Sequence, residues 1–247
     1  MKSIDINCDL GEGGAYDAQL MPLITSCSIA CGGHFGDKTS MLNAILIAKK
    51  YSVKIGAHPS YPDSKNFGRI SMDLDATALK QNLKSQILML KKLADANHYP
   101  LSHIKPHGAL YNDANRKPDI ALIIIETLEE LGLKIPLFVA YNSEIAKAAK
   151  GRIDIIIEGF SDRNYNLDYT LVSRELPNAV LNNKEHVLKH VLNIVIENKV
   201  KIGEEHYVPI NVETICMHSD TKNAVDSLVY LRGKLRESKV DVKAYNV

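Results

Sequence analysis

Short β-branched runs alternate with longer segments of helical period along most of the chain. Residues 4–7, 25–30, 53–57, 101–105, 135–140, 153–157 and 213–216 read as strands. Helical patterns follow or separate them at 41–50, 76–94, 121–131, 143–150, 186–197 and 224–236. In the longest of these, Leu79, Leu83, Ile87, Leu90 and Ala94 recur at three- and four-residue intervals and turn one apolar stripe toward a core. Residues 240–245 form a final short strand or an extended tail. Alternating βα units imply a parallel sheet with helices outside it, and about seven of them favour closure into an α/β barrel over an open sheet. No linker, low-complexity segment or short repeat interrupts the pattern, so one domain is expected over residues 1–247.

Polar and ionisable residues gather where the apolar runs end. Asn7, Asp9 and Glu12 follow the first run, His34 the second, and His58 the third. Lys105 and His107 follow the fourth, Glu158, Asp162 and Arg163 the sixth, and His218 and Asp220 the last. The opposite ends, at Ser3, Val53, Leu101 and Ile135, are bland. All strand C-termini of a parallel barrel open on one face, so these groups are expected in a common crevice. Asn7 with Asp9, Lys105 with His107, and His218 with Asp220 are each two residues apart, a spacing that points both members of an extended pair to the same side.

The chemistry of that set admits several uses. Lys105 ends an inward strand and suits an oxyanion or phosphate. Asp9, Glu12, Glu158 and Asp220 crowd carboxylates at one mouth, which raises some carboxyl pKa values and makes general acids or bases. A static ion network with Lys105, Arg69 and Arg163 is the alternative use of the same charges. His34, His58, His107 and His218 come from four strands, so a proton relay and a metal site are both open by spacing, and no metal ligand is assigned. Cys8 alternates away from the mouth, whereas Cys216 shares the parity of His218 and lies deeper. Residues 33–39 resemble a phosphate loop only superficially, because Asp37 separates Gly36 from Lys38.

Bulk properties exclude some partners. Lys and Arg number 30 against 29 Asp and Glu, so no excess charge attracts nucleic acid. No apolar run approaches the roughly 18 residues of a membrane helix. Four cysteines without paired spacing read as reduced, buried thiols, and the chain is expected in the cytoplasm.

Several longer motifs together resemble the LamB/YcsF family. They are Asp5-Ile-Asn-Cys-Asp-Leu-Gly-Glu-Gly13, Ile29-Ala-Cys-Gly32 with His34 and Gly36-Asp37, and Ile55-Gly-Ala-His-Pro-Ser-Tyr-Pro-Asp63. Phe67-Gly-Arg69, Lys105-Pro-His-Gly-Ala-Leu-Tyr-Asn112, Glu158-Gly-Phe with Asp162-Arg163, and Ile215-Cys with His218 and Asp220-Thr221 complete the set. The resemblance runs from residue 5 to about 225. It implies a distorted (β/α)7 TIM-like barrel of the glycoside hydrolase/deacetylase type. It also implies ATP-dependent opening of 5-oxoproline to L-glutamate, with ATP and its magnesium as cofactor and 5-oxoprolinase subunits B and C as partners. By position, the pocket would comprise Asn7, Asp9, Glu12, His34, His58, Arg69, Lys105, His107, Glu158, Arg163, His218 and Asp220. Departures from the family's usual residues at Gly33, Phe35, Lys38, Ile70, Ser219 and Lys222 bear on the second and last βα loops.

Within that set, Asp9, Lys105, His107, Glu158 and His218 are the catalytic candidates and the others hold substrate or nucleotide. Lys105 and Arg163 would neutralise phosphate, Asp9 or Glu158 would activate water, His107 or His218 would move a proton, and Arg69 would hold the substrate carboxylate. A metal-dependent deacetylase or amidohydrolase on the same barrel, and a binding module that only presents substrate, are the rival readings. Metal analysis separates the first and calorimetry without partners the second.

Overall fold

The structure is a computed structural model that describes residues 2–203 and 205–246. Seven parallel strands close on themselves: β1 (Lys2–Leu10), β2 (Ser26–Ala30), β3 (Lys54–His58), β4 (His103–Ile104), β5 (Leu137–Ala140), β6 (Ile155–Phe160) and β9 (Thr214–Cys216), which pairs back onto β1. Around them lie α2 (Lys38–Tyr51), α3 (Ala76–Ala96), α4 (Gly108–Arg116), α5 (Pro118–Leu131), α6 (Glu144–Ala149), α7 (Lys184–Val195) and α8 (Ala224–Glu237), with a single turn, α1 (Asp17–Leu20), after β1. The TIM-like barrel expected from the alternation is therefore present. No described helix is long and apolar enough to cross a membrane.

Local chemistry fixes the helix starts. Asp37 accepts from Thr39 and Ser40 backbone amides in a capping box, and Asp75, Ser143 and Asn183 cap α3, α6 and α7 with side-chain oxygens. Pro118 opens α5 and Gly132, at φ 62°, ends it. The apolar stripe of α3 buries Leu79, Leu83, Ile87, Leu90 and Ala94 as its spacing predicts.

Period-two alternation divides β1 cleanly. Ile4, Ile6, Cys8 and Leu10 belong to the large core between strands and helices. Asp5, Asn7 and Asp9 face the barrel interior. Asp5 accepts from Thr25, Ser26 and Thr214, and burial raises its pKa. Below this layer His103 stacks on Phe138 with centroids 4.1 Å apart, and Phe138 packs with Ile156 and Tyr245. Tyr245 follows β10 (Val240–Val242), a short strand that pairs parallel with the start of β1 and carries the expected C-terminal strand.

Three segments depart from the sequence pattern. Residues 108–116 form α4 directly after the Lys105 motif, a helix too short to show much period. Its first residue must be glycine: Gly108 sits at φ 53°, and a Cβ there would meet the Gly68 carbonyl oxygen at 2.6 Å. Between α7 and β9 lies an antiparallel hairpin, β7 (Lys199–Ile202) with β8 (His206–Pro209). Residues 161–183 make a long irregular loop after β6 that folds over one side of the mouth.

Candidate active site

The C-terminal ends of the strands surround a cavity of about 440 Å³. Asp9, Glu12, His58, Arg69, Lys105, His107, Arg163, His218 and Asp220 line it. Asn7, His34 and Glu158, also expected here, lie buried immediately behind that wall.

Lys105 is the centre of the floor. Its Nζ lies 2.9 Å from Asp9 Oδ1, 2.8 Å from Glu158 Oε1, 3.2 Å from Asn7 Oδ1 and 3.2 Å from Cys216 Sγ. An ammonium has three protons, so these neighbours occupy all of them. Burial disfavours the charge, but Asp9 first among the neighbours overrides it and holds the Lys105 pKa well above its usual value. Asp9 is the converse case: burial would raise it, and the charges of His58 and Lys105 bring it well below the usual carboxylate range. Lys105 and Arg163, the two cations expected to neutralise phosphate, both have partners within the fold. Arg163 donates to the carbonyls of Ala179 and Val172, pinning the 161–183 loop, and burial lowers its pKa to about 10.

Beside this floor stands a histidine cluster. His58 Nδ1 donates to the Lys105 carbonyl at 2.7 Å and His107 Nε2 donates to the Phe67 carbonyl at 3.0 Å. Their remaining nitrogens face each other at 2.9 Å, so one proton is shared between two rings. Burial works against a charged His58, but Asp9 raises its pKa, whereas burial keeps that of His107 low. Burial pushes His34 down to about 4, and the neutral ring donates from Nε2 to Glu12 at 2.9 Å while stacking on His107 at 3.6 Å.

Across the cavity Asp162 holds His218. Asp162 Oδ1 accepts from Nδ1 at 2.9 Å and Oδ2 accepts from the His218 amide and from Thr221. Burial would raise Asp162, yet His218 and Thr221 bring it to about 2. His218 Nε2 is left free beside the cavity, with the ring stacked on Phe160. A His218 ring nitrogen also comes within 4.8 Å of both Asp9 and Cys216 ligand atoms. At the rim, half-exposed Arg69 pairs with Asp220 at 2.6 Å, and Arg174 reaches the same carboxylate at 3.4 Å.

Sequence reasoning placed Asp162 in a motif without giving it a partner, and it passed over Tyr111 and Arg174. Tyr111 has a signal in hindsight, since it sits four residues past His107 and so on the same face of α4. Its buried hydroxyl lies beside Glu158 but makes no well-formed hydrogen bond among the described residues, and burial and the Glu158 charge raise its pKa well above the usual value. Arg174 lies in an irregular loop, where no periodicity announces it. Among the described residues two groupings could hold a metal ion: Asp9, Cys216 and His218, and Glu12, His34 and His107 with His58 beside them. In the first, the Lys105 ammonium already stands within 3.2 Å of both Asp9 and Cys216.

Comparison with known proteins agrees with the fold. The chain is 40% identical over 238 residues to the A component of the 5-oxoprolinase of Histophilus somni, covering 96% of each, and 35% identical over 245 residues to that of Haemophilus influenzae, covering 99% of this chain and 100% of the relative. The crystal structure of a lactam utilization protein from Thermus thermophilus superposes with a TM-score of 0.91 at 31% identity, covering 99% of this chain and 100% of that one. A chitinase from Pseudoalteromonas aurantia, at TM-score 0.55 and 9% identity, shares the fold alone. Residues 4–247 match the LamB/YcsF family, and the chain belongs to it.

Proposed function

We propose that this chain is the A component of an ATP-driven 5-oxoprolinase that opens the lactam of 5-oxoproline to L-glutamate together with subunits B and C in the cytoplasm. The names of its relatives support the substrate. The observation that carries the chemistry is the pairing of half-buried His218, held by buried Asp162 with one imidazole nitrogen free, and an Asp9 carboxylate kept ionised by His58 and Lys105 on the wall of the same cavity.

A five-membered lactam is a poor electrophile. Transfer of the γ-phosphoryl group of ATP to its carbonyl oxygen releases ADP and leaves a carbon that water can attack. The added water loses a proton, the ring C–N bond breaks as nitrogen gains one, and a second water hydrolyses the resulting acyl phosphate to glutamate and phosphate. Asp9 accepts the proton of the attacking water. His218, oriented by Asp162, delivers a proton to the departing nitrogen. Arg69 and Arg174, which the exposed Asp220 carboxylate holds at the rim, take the substrate carboxylate and phosphate charge. Lys105 is a positioning residue that, with His58, keeps Asp9 ionised and holds the Glu158 carboxylate in an ion pair.

The reading is tested on the complex co-purified with subunits B and C, assayed for glutamate release from 5-oxoproline with and without ATP. Glutamate formation that depends on this chain and on ATP is expected. Equal rates in the absence of either sink it.

A further inference from the structure

Four side chains on the cavity wall carry more lone pairs than protons. Glu12 Oε1 lies 3.2 Å from His107 Nδ1 and 3.8 Å from His58 Nε2, these two nitrogens are 2.9 Å apart, and Asp9 Oδ2 is 3.4 Å from the same His58 nitrogen. With bonds of roughly 2.0–2.1 Å, neighbouring ligand atoms around a cation are separated by about 2.9 Å in an octahedron and about 3.4 Å in a tetrahedron. The observed separations are close to such edges.

A second feature points the same way. Each ring has its far nitrogen fixed on a backbone carbonyl, His58 on Lys105 and His107 on Phe67. That arrangement selects the tautomer and aims the other nitrogen at a common point, as outer-shell partners do for metal-bound imidazoles. We propose that Glu12, His58 and His107, completed by Asp9, form a binding site for a divalent first-row transition cation, zinc foremost. Two imidazoles with carboxylates suit this class better than magnesium or calcium. All four residues line the cavity, so a coordination position stays open to a small ligand. A cation there would polarise a carbonyl oxygen.

His34 is a positioning residue in this arrangement. Its ring is parallel to His107, at 4° and 3.6 Å, so their in-plane lone pairs run side by side and do not converge. Its Nε2–H instead orients Glu12. The rival grouping of Asp9, Cys216 and His218 is blocked by the Lys105 ammonium, which already stands on Asp9 and Cys216.

The site is tested on the full chain with the metal alone, independently of turnover and of the ATP reading. Dialysis against Zn²⁺ followed by elemental analysis should give one equivalent per chain, and Zn²⁺ should raise the thermal midpoint. Glu12→Gln and His107→Gln should each weaken binding by at least about 100-fold, and His34→Gln by about 10- to 100-fold. Cys216→Ser and His218→Gln should leave it unchanged. The Co²⁺ form of the wild-type chain should show visible absorption without a thiolate charge-transfer band, a readout that stands even if a variant fails to fold. No saturable binding, binding untouched by Glu12→Gln and His107→Gln, or a thiolate band overturns the proposal. An active complex without metal leaves the proposed function standing, and a metal-loaded but inactive complex leaves the site standing.

Discussion

Two ion pairs at the mouth have nearly the same contact distance and opposite surroundings. Lys105 meets Asp9 at 2.9 Å with side chains 2% and 8% exposed, whereas Arg69 meets Asp220 at 2.6 Å with 44% and 43% exposed. Distance alone would rank the rim pair as the stronger. Burial reverses the order, because solvent screens the rim charges and leaves the floor charges dependent on one another. The floor is consequently part of the fold, while the rim is free to exchange partners.

The sharpest way to break that contrast is Lys105→Met. It leaves Glu158 in the interior without its ion-pair partner and Asp9 with His58 alone, and it should cost about 3–5 kcal/mol in denaturant unfolding as well as abolish turnover. Replacing Glu158 by Gln in the same chain should restore part of the stability and none of the activity. An unchanged unfolding midpoint for Lys105→Met would mean that the floor is hydrated and no different from the rim.

His218→Gln acts between the two depths. The ring is partly exposed and its outer nitrogen is unbonded in the fold, so stability should change little. Loss of the proton donor should lower glutamate formation by about 10²–10⁴-fold in the complex, with the Michaelis constant for 5-oxoproline nearly unchanged. A change confined to the Michaelis constant would move His218 from proton transfer to binding. Tyr111→Phe is a smaller perturbation of the floor. A hydroxyl with no well-formed hydrogen bond contributes little, so stability should stay within about 1 kcal/mol in thermal unfolding. A larger loss would show that Tyr111 is bonded to Glu158.

These depths also mark how far sequence could reach. Within and just beyond strands, alternation carries side-chain direction, and it turned Asn7, Asp9, Lys105 and His107 inward and Cys8 outward. The same spacing at His218 and Asp220 does not transfer, because β9 ends at Cys216 and the chain then turns. His218 bends to Asp162 and Asp220 reaches the rim arginines. The 161–183 loop is harder still. It is held by Arg163 on two carbonyls and by local Asn and Asp turns, contacts set by tertiary placement and invisible to periodicity. Roles were less legible than positions for a similar reason. Lys105 reads as a free cation until its neighbours are counted, and the proton shared by His58 and His107 appears only once both far nitrogens are seen on carbonyls.

Arg69→Ala should have the smallest effect on the fold. Screening and side-chain entropy limit an exposed pair to about 0–1 kcal/mol, and Arg174 remains to hold Asp220. The effect should appear in binding instead. At rest Asp220 occupies both guanidinium groups, and a substrate carboxylate entering the cavity competes for them by the same charge-assisted bonds. Arg69→Ala should therefore raise the Michaelis constant for 5-oxoproline by about 10-fold or more with little change in kcat. Asp220→Asn should have the opposite sign, lowering that constant, because it frees the arginines. Steady-state assays of the two variants in the complex decide the matter. Changes of the same sign would make the Arg69–Asp220 pair a structural strut, and the rim would then differ from the floor in strength alone.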